Sequence, residues 1–446
     1  MRGQLPPGEA DLFVEALRSM PATALRINRR KPAPLSPAWS AHPVPWCPNA
    51  WHLAQRPVFT LEPAFHAGSW YVQEAASMAV AGFLPPGYDP LTVLDLCAAP
   101  GGKATLLADA VPVGSVVVAN EAIRSRVGLL TETATRWGHA HLVVTHNDPK
   151  DFGPLAGSFD AVLVDAPCSG EGLWRRRPQG IAGYSAAQIA HCAARQERIL
   201  AAALPLVRAG GVLVYSTCTW AEAENEAQIA ALVRAHAHRL APLARPDLLA
   251  CGWVETEAAG FPCYRAYPHR VAGEGLFVAG VQVRVQPDAQ APASAPRRPV
   301  LARVKPPPEL AAFRELEGRL VEADGQWAWQ PAEVAQWLTE HGAALRIARA
   351  GGALGQVKGR DFVPDHAWAL AADLPQPYPA LEVEREHALI FLKKESLPDA
   401  NGAGRGFYRV TFEGLGLGWI KHVGHRSNNL LPKSWRILRD LDAWEE

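Results

Sequence analysis

The stretch from Leu91 to Ala108, LTVLDLCAAPGGKATLLA, constrains the fold of this chain more than any other. Thr92, Val93 and Leu94, apolar or β-branched, run into Asp95. A loop of small residues follows, Cys97-Ala98-Ala99-Pro100-Gly101-Gly102, and Lys103 then opens a segment with Leu106 and Leu107 on one side. A buried strand, a tight glycine turn and a helix start are the parts of a nucleotide-type cradle. Glycine lets the backbone approach a ligand, and free N–H groups at a helix start favour its polar or negative groups. Two such cradles are excluded. A phosphate-binding P-loop needs a glycine five residues before the Gly-Lys pair and a Ser or Thr after it. Cys97 and Ala104 stand there, which argues against ATP or GTP hydrolysis. The dinucleotide pattern G-x-G-x-x-G is absent as well.

From 85 to 285 apolar strands alternate with helical segments, which predicts an α/β fold with a mostly parallel, doubly wound sheet covered on both faces. Strands are expected at Thr92–Leu96, Ser115–Ala119, Leu142–Thr145, Ala161–Val164 and Gly211–Tyr215, with further ones around Cys263–Tyr267 and Leu276–Val285. A helix from Ser185 to Leu206 opens with a Ser185/Gln188 capping box and is expected to stop at Gly210-Gly211. Ligands of such sheets bind beyond the carboxyl ends of the strands. Those ends carry Asn120-Glu121, Asn147-Asp148, Asp165-Ala166-Pro167-Cys168-Ser169-Gly170-Glu171-Gly172 and Ser216-Thr217-Cys218-Thr219. One acid at a strand end can simply cap a helix; several polar strand ends around one cleft favour a ligand pocket.

The flanks differ from this core. Leu12, Phe13, Ala16 and Leu17 have helical spacing. Arg26, Arg29, Arg30 and Lys31 beside Asn28 are either a solvated face or a phosphate-neutralising one. Residues 286–308, rich in Pro and Ala, form a linker. Beyond it, Trp327, Trp329 and Trp337 suggest a helical segment, and 387–394 and 407–423 suggest strands. Arg405, Arg409, Lys421, Arg426, Lys433 and Arg436 interleave with aromatics there, either as on an RNA-binding face or in an ordinary soluble β-rich module. The domains predicted are therefore 1–80, 81–285, a linker at 286–308, and 309–446.

Formal net charge is zero over 446 residues, so the chain is no uniformly basic nucleic-acid coat. No signal peptide or window of about twenty apolar residues is present, and seven cysteines without framework spacing fit a reducing cytoplasm. The cysteines show no C-x-x-C and no metal spacing. Cys47, Cys97, Cys192, Cys251 and Cys263 read as small buried hydrophobes. Cys168 and Cys218 differ, each ending a strand at the expected cleft. Cys218 is placed where a helix begins, which would favour its thiolate.

LDLCAAPGGK, DAPCSGEG and YSTCT followed by AENE resemble the signature of the NSUN-type (Nol/Nop/Sun) RNA cytosine-C5 methyltransferases, supported by QEAASM (73–78) and YPHRVAGEGLFVA (267–279). The segment GLGLGWIKHVGHRSNNLLPKSWR is similar to the PUA-like end of the branch acting on bacterial 16S ribosomal RNA. The resemblance implies a Rossmann-like class I methyltransferase core at 81–285, a small N-terminal RNA-binding domain and a C-terminal α+β region ending in a PUA-like module. It implies S-adenosylmethionine as methyl donor and ribosomal RNA or the small subunit as partner, without metal or membrane, in a cytoplasmic monomer. Cys218 would be the nucleophile, Cys168 would assist its release, and Asp165 would hydrogen-bond the cytosine. Cys97, Ala98, Ala99, Pro100, Gly101, Gly102 and Lys103 would cradle the donor's methionine moiety, with Asp165 beside it, while Glu121 takes the ribose and Asp148 the adenine. Arg175, Arg176 and Arg177 either grip phosphates or form an exposed charge run. The other readings are a tRNA methyltransferase with the same residues, an RNA-binding assembly factor that needs neither thiol, and a DNA methyltransferase, against which the second cysteine speaks.

Overall fold

The computed structural model describes residue 5 and residues 8–285, 305–397 and 404–439. Most of the predicted linker, 286–304, lies outside them. At the centre run five parallel strands: β1 (Thr92–Asp95), β2 (Val116–Asn120), β3 (Leu142–Thr145), β4 (Phe159–Asp165) and β5 (Val207–Thr217). Their order is β3-β2-β1-β4-β5, continued antiparallel by Leu276–Val283, Phe261–Ala266 and Val254–Ala258. The chain moves outward from β1 to β3, then returns to the other side of β1 for β4. That reversal opens a crevice over the carboxyl ends of β1 and β4. Registers pair Asp95 with Ala119 and Leu163, and Asp165 with Ser216, so the polar strand ends share one edge.

The strands are buried on both faces, which is why they read as continuous apolar runs. Val93, Val117 and Val144 pack on one side with Leu106, Leu107 and Leu130. Leu94, Val118, Val143 and Val162 face the other, against Ile199, Leu200 and Ile229. The helix Ala186–Ala203 begins as predicted, the Ser185 hydroxyl accepting from Gln188 N–H. It stops earlier than expected, at Ala203 before Pro205. Gly210-Gly211 instead lie inside β5, where the register to β4 shifts.

A four-stranded antiparallel sheet precedes this core, in the order Ala41–Val44, Cys47–Leu53, Thr23–Ile27, Trp70–Val72. The helix Ala10–Arg18 buries Phe13, while Leu12 is exposed. Arg26 and Lys31 are neither solvated nor free for phosphate. Both are buried, Arg26 in an ion pair with Asp109 and Lys31 on backbone carbonyls. Beyond 305, Gly318–Ala323, Gln326–Pro331, Gly352–Lys358 and Asp361–Pro364 form one sheet. Trp327 and Trp329 lie in its second strand rather than in a helix; only Trp337 is helical, in Ala332–His341. Ile347–Arg349 joins the central sheet, antiparallel to β3. A last sheet comprises Ala380–Glu382, Gly406–Phe412, Leu415–His422 and Ser427–Asn429. The strand expected at 387–394 is instead the helix Arg385–Leu392, whose Ala388, Leu389, Phe391 and Leu392 are buried at helical spacing.

Candidate active site

Two adjoining cavities open at the crevice. The larger, about 580 Å³, is lined by Cys97, Ala99, Glu121, Asp148, Asp165 and Cys168, among others. The smaller, about 350 Å³, is lined by Tyr71, Gln73, Ala98, Ala99, Pro100, Gly102, Lys103 and Glu274. Asp165, Ala166, Leu173 and Cys218 line both. Cys168 borders the larger cavity; Gly101 borders neither. The two glycines are required by protein neighbours rather than by a ligand. Gly101 has φ +113° and a Cβ there would meet Thr133 Cγ2 at 2.8 Å, while one on Gly102 would meet Tyr71 at 3.0 Å. The helix Gly102–Ala110 that follows has no side-chain cap, so its first N–H groups are open to a ligand.

At the boundary of the cavities, Cys168 Sγ lies 3.3 Å from Cys218 Sγ. All seven cysteines are free thiols. The hydrogen bond with Cys218, together with burial, raises Cys168 well above the ordinary thiol range. Cys218 does not start a helix as expected: a short 3-10 turn, Glu222–Glu224, intervenes and the helix is Glu226–His236. The other five thiols are buried or half-buried and raised chiefly by desolvation, as befits apolar packing.

Asp165 accepts from Lys103 Nζ at 2.8 Å and from the Ser216 hydroxyl at 2.8 Å. Burial lowers Lys103, but the charge and hydrogen bond of Asp165 outweigh it and hold the ammonium above its usual value. Behind this pair Asp95 is fully buried, and desolvation with the Asp165 charge pushes it up to about 8. Near neutrality Asp95 is therefore largely protonated.

Two buried glutamates join the cysteine loops. Glu224 accepts from Ser169 N–H at 3.0 Å, from the Ser169 hydroxyl and from Gln196 Nε2 at 2.9 Å; the same Gln196 nitrogen donates to Pro167 O. Glu171 accepts from the Thr219 hydroxyl at 2.6 Å and from Trp220 N–H at 2.5 Å. Gly172 N–H donates to Cys218 O at 2.7 Å. This network escaped the sequence reading. AENE entered there only as part of a signature, and the one local signal for Gln196 is a polar residue on the buried stripe of Cys192, Ile199 and Leu200.

Glu121 pairs with Arg126 at 3.2 Å and accepts from Ile123 N–H. Asp148 both lines the cavity and caps the turn Pro149–Leu155, accepting from Lys150 N–H, so the two readings of that acid coexist. The segments 73–78 and 267–279 meet beside the smaller cavity, where Glu74 accepts from Glu274 N–H at 2.9 Å. Arg175 bonds Gly273 O and the end of the first helix at Ser19 and Met20, and Arg176 pairs with Glu274. Arg175 is half-buried, whereas Arg176 and Arg177 are both exposed. Among the described residues no group of three or more His, Cys, Asp or Glu is placed to hold a metal, and no helix is long and apolar enough to cross a membrane.

Three family models match separate parts of the chain. Residues 83–282 match the family model described as 16S rRNA methyltransferase RsmB/F. Residues 1–75 match the N-terminal domain of 16S rRNA methyltransferase RsmF, and 378–437 the methyltransferase RsmF PUA domain. The ribosomal RNA small subunit methyltransferase F of Aeromonas salmonicida is 31% identical over 96% of this chain and 94% of its own length. That of Klebsiella pneumoniae is 30% identical over 99% and 95%. Among solved structures, a methyltransferase homolog protein from Pyrococcus horikoshii aligns with TM-score 0.52 and 27% identity, over 63% of this chain and 92% of its own. NSun6 from the same organism, solved with SFG, shares the fold at TM-score 0.51 and 19% identity, over 64% and 96%.

Proposed function

The chain belongs to the RsmB/F family of 16S rRNA methyltransferases, and from that premise we propose that it methylates C5 of cytosine in 16S ribosomal RNA through a covalent adduct on Cys218. The observation that carries this reading is the pair of thiols, 3.3 Å apart, with Cys218 at the wall shared by the two cavities and Cys168 on the larger one. A methyl donor and a flipped base must meet at one point, and Cys218 and Asp165 border both spaces.

The larger cavity suits S-adenosylmethionine. Glu121 would take the ribose hydroxyls, Asp148 the adenine amine, and the segment from Cys97 to Lys103 the methionine end, where the uncapped helix start offers N–H groups. Once bound, that group supplies an electrophilic sulfonium methyl. The chain's own residues do the rest. A target base must leave its stack to enter the smaller cavity. There the Cys218 thiolate adds to C6, moving the ring's electrons toward C5 and N3, so that C5 becomes nucleophilic. Asp165, held by Lys103 and Ser216, hydrogen-bonds the ring as N3 takes a proton. After methylation C5 must lose its proton and the C6–sulfur bond must break, returning the electron pair to Cys218. Cys168 lies within hydrogen-bonding reach of the departing sulfur and assists that release.

Purified small subunits, naked ribosomal RNA and tRNA, each incubated with radiolabelled S-adenosylmethionine, test the reading. Label in 5-methylcytidine of 16S RNA is expected. Label confined to tRNA would overturn the substrate but not the chemistry, and no label would favour a non-catalytic assembly factor. Cys218→Ala should abolish transfer, whereas Cys168→Ala should accumulate a covalent protein–RNA adduct; the reverse pattern would exchange their roles. A ribosomal substrate places the enzyme in the cytoplasm.

A further inference from the structure

One buried lysine gathers the ends of three helices that belong to three different parts of the chain. Lys31 is 6% exposed. Its Nζ donates to Ala67 O at 2.7 Å, to Arg136 O at 2.7 Å and to Leu370 O at 3.0 Å. Ala67 closes the helix Pro63–His66, Arg136 lies in the last turn of Arg124–Trp137, and Leu370 ends His366–Leu370. The last carbonyls of a helix have no partner within it and carry the negative end of its dipole. An ammonium has three donors and no acceptor, and here each donor takes one such carbonyl. Burial, with the nearby Arg409 charge, lowers Lys31 to about 7.

The backbones approach the lysine so closely that side chains are excluded. A Cβ on Gly68 would lie 1.9 Å from Arg136 O, and one on Gly138 2.3 Å from Leu370 O; both glycines have positive φ. Other contacts close the same junction. The Arg136 guanidinium lies over the rings of Phe65 and Trp435, at 5.5 and 5.0 Å, and Arg385 pairs with Glu62 at 2.9 Å. The N-terminal sheet, the catalytic core and the PUA-matching region are thus joined by direct contacts, and not only along the chain.

We propose that Lys31 is a positioning residue for substrate selection: by tying these three helix ends together it fixes the distance between the Cys218 cleft and the C-terminal module. Such a fixed span acts as a ruler. A module on a loose tether raises the local concentration of every cytosine within reach, whereas a rigid one favours the cytosine at the matching distance. The ruler rests on the reading above that the substrate is RNA held by the C-terminal module; the lock itself does not.

The test uses the full chain, with nitroxide amino acids incorporated at exposed Tyr88 and Leu438 so that the native cysteines stay free. The wild type should give a narrow distance distribution, and Lys31→Met a broadened one. On small subunits, Lys31→Met should lower the preference for one cytosine over its neighbours at least tenfold. Its kcat on a short single-stranded cytidine oligonucleotide should stay within threefold of wild type. Unchanged distances and unchanged site preference in a folded variant would overturn the proposal. If Lys31→Met does not fold, Gly138→Ala, whose Cβ would lie 2.3 Å from Leu370 O, parts that helix end from Lys31 and should broaden the distances in the same way; a narrow distribution there would overturn the lock. Wild-type protein that methylates no RNA would overturn the functional reading and the ruler with it, while the distances decide the lock independently.

Discussion

Asp95 sets how the stability of the fold responds to pH. Its carboxyl, pushed up to about 8 by burial and by the Asp165 charge, keeps a proton that the unfolded chain has lost. Between about pH 4 and 8 the folded state therefore binds more protons than the unfolded one, and stability falls as pH rises, by up to about 1.4 kcal/mol per unit. Above that window both states are ionised and the effect levels off. Asp95→Asn should flatten the profile: thermal midpoints measured from pH 5 to 8 should fall less steeply than in wild type, and parallel profiles would count against a protonated Asp95. Glu224 acts on the cysteines at one remove. Glu224→Gln removes an acceptor from Ser169, and the cost of a misplaced catalytic loop is about 10²-fold in kcat. Donor affinity should be retained; an unchanged kcat would show that the loop holds its shape without the carboxylate. Cys168, Cys218 and Asp165 were legible because each ends an apolar strand run. Glu224 and Gln196 were not, because their meaning depends on two loops fifty residues apart meeting in space.

At the scale of elements, the parallel strands were legible for a simple reason: burial on both faces leaves uninterrupted apolar runs. Short apolar runs elsewhere are ambiguous between periods of 2 and 3.6. The segment at 387–394 satisfied a strand reading and folds as a helix, because its Ala388, Leu389, Phe391 and Leu392 face one core with Val410 and Ile420. Cations mislead in the same way, since sequence gives charge but not depth. Arg26 is fully buried on the strand Thr23–Ile27. It bonds Gln73, the Gly102 carbonyl, Thr105 and Asp109, and its guanidinium lies 4.4 Å from the Trp137 ring. It thereby braces the helix that carries Lys103. Arg26→Met should leave Asp109 charged and buried, at a cost of about 3–5 kcal/mol measured by denaturant unfolding. A cost below about 1 kcal/mol would mean that Asp109 finds another donor or takes up a proton.

The molecule as a whole places part of its C-terminal region inside the catalytic unit. Ile347–Arg349 extends the central sheet at β3, and Val334, Trp337, Leu338 and Leu345 share a core with Leu94, Val118 and Val143. Arg346 N–H donates to Asn147 Oδ1 at 3.0 Å, and His146 N–H to Arg346 O at 2.9 Å, which brackets the loop leading into Asp148. The domain division expected from the sequence places a boundary at 285, because composition changes there and strand pairing across a linker leaves no mark in composition. Truncation after Val285 should therefore do two separable things. It uncovers an apolar face and an unpaired strand edge, which favours association, so the fragment should aggregate or run as an oligomer in size-exclusion chromatography. It also frees the His146–Asp148 loop, so any soluble monomeric fraction should bind S-adenosylmethionine at least about tenfold more weakly by calorimetry, or about 1.4 kcal/mol. A second variant isolates the loop. Asn147→Ala in the full chain keeps the sheet edge covered but loses the bond to Arg346 N–H, and should weaken donor binding without changing the oligomeric state. A soluble monomer at 285 with wild-type affinity would show that the added strand is only a cover; weak binding in both variants would show that the C-terminal region helps build the donor site.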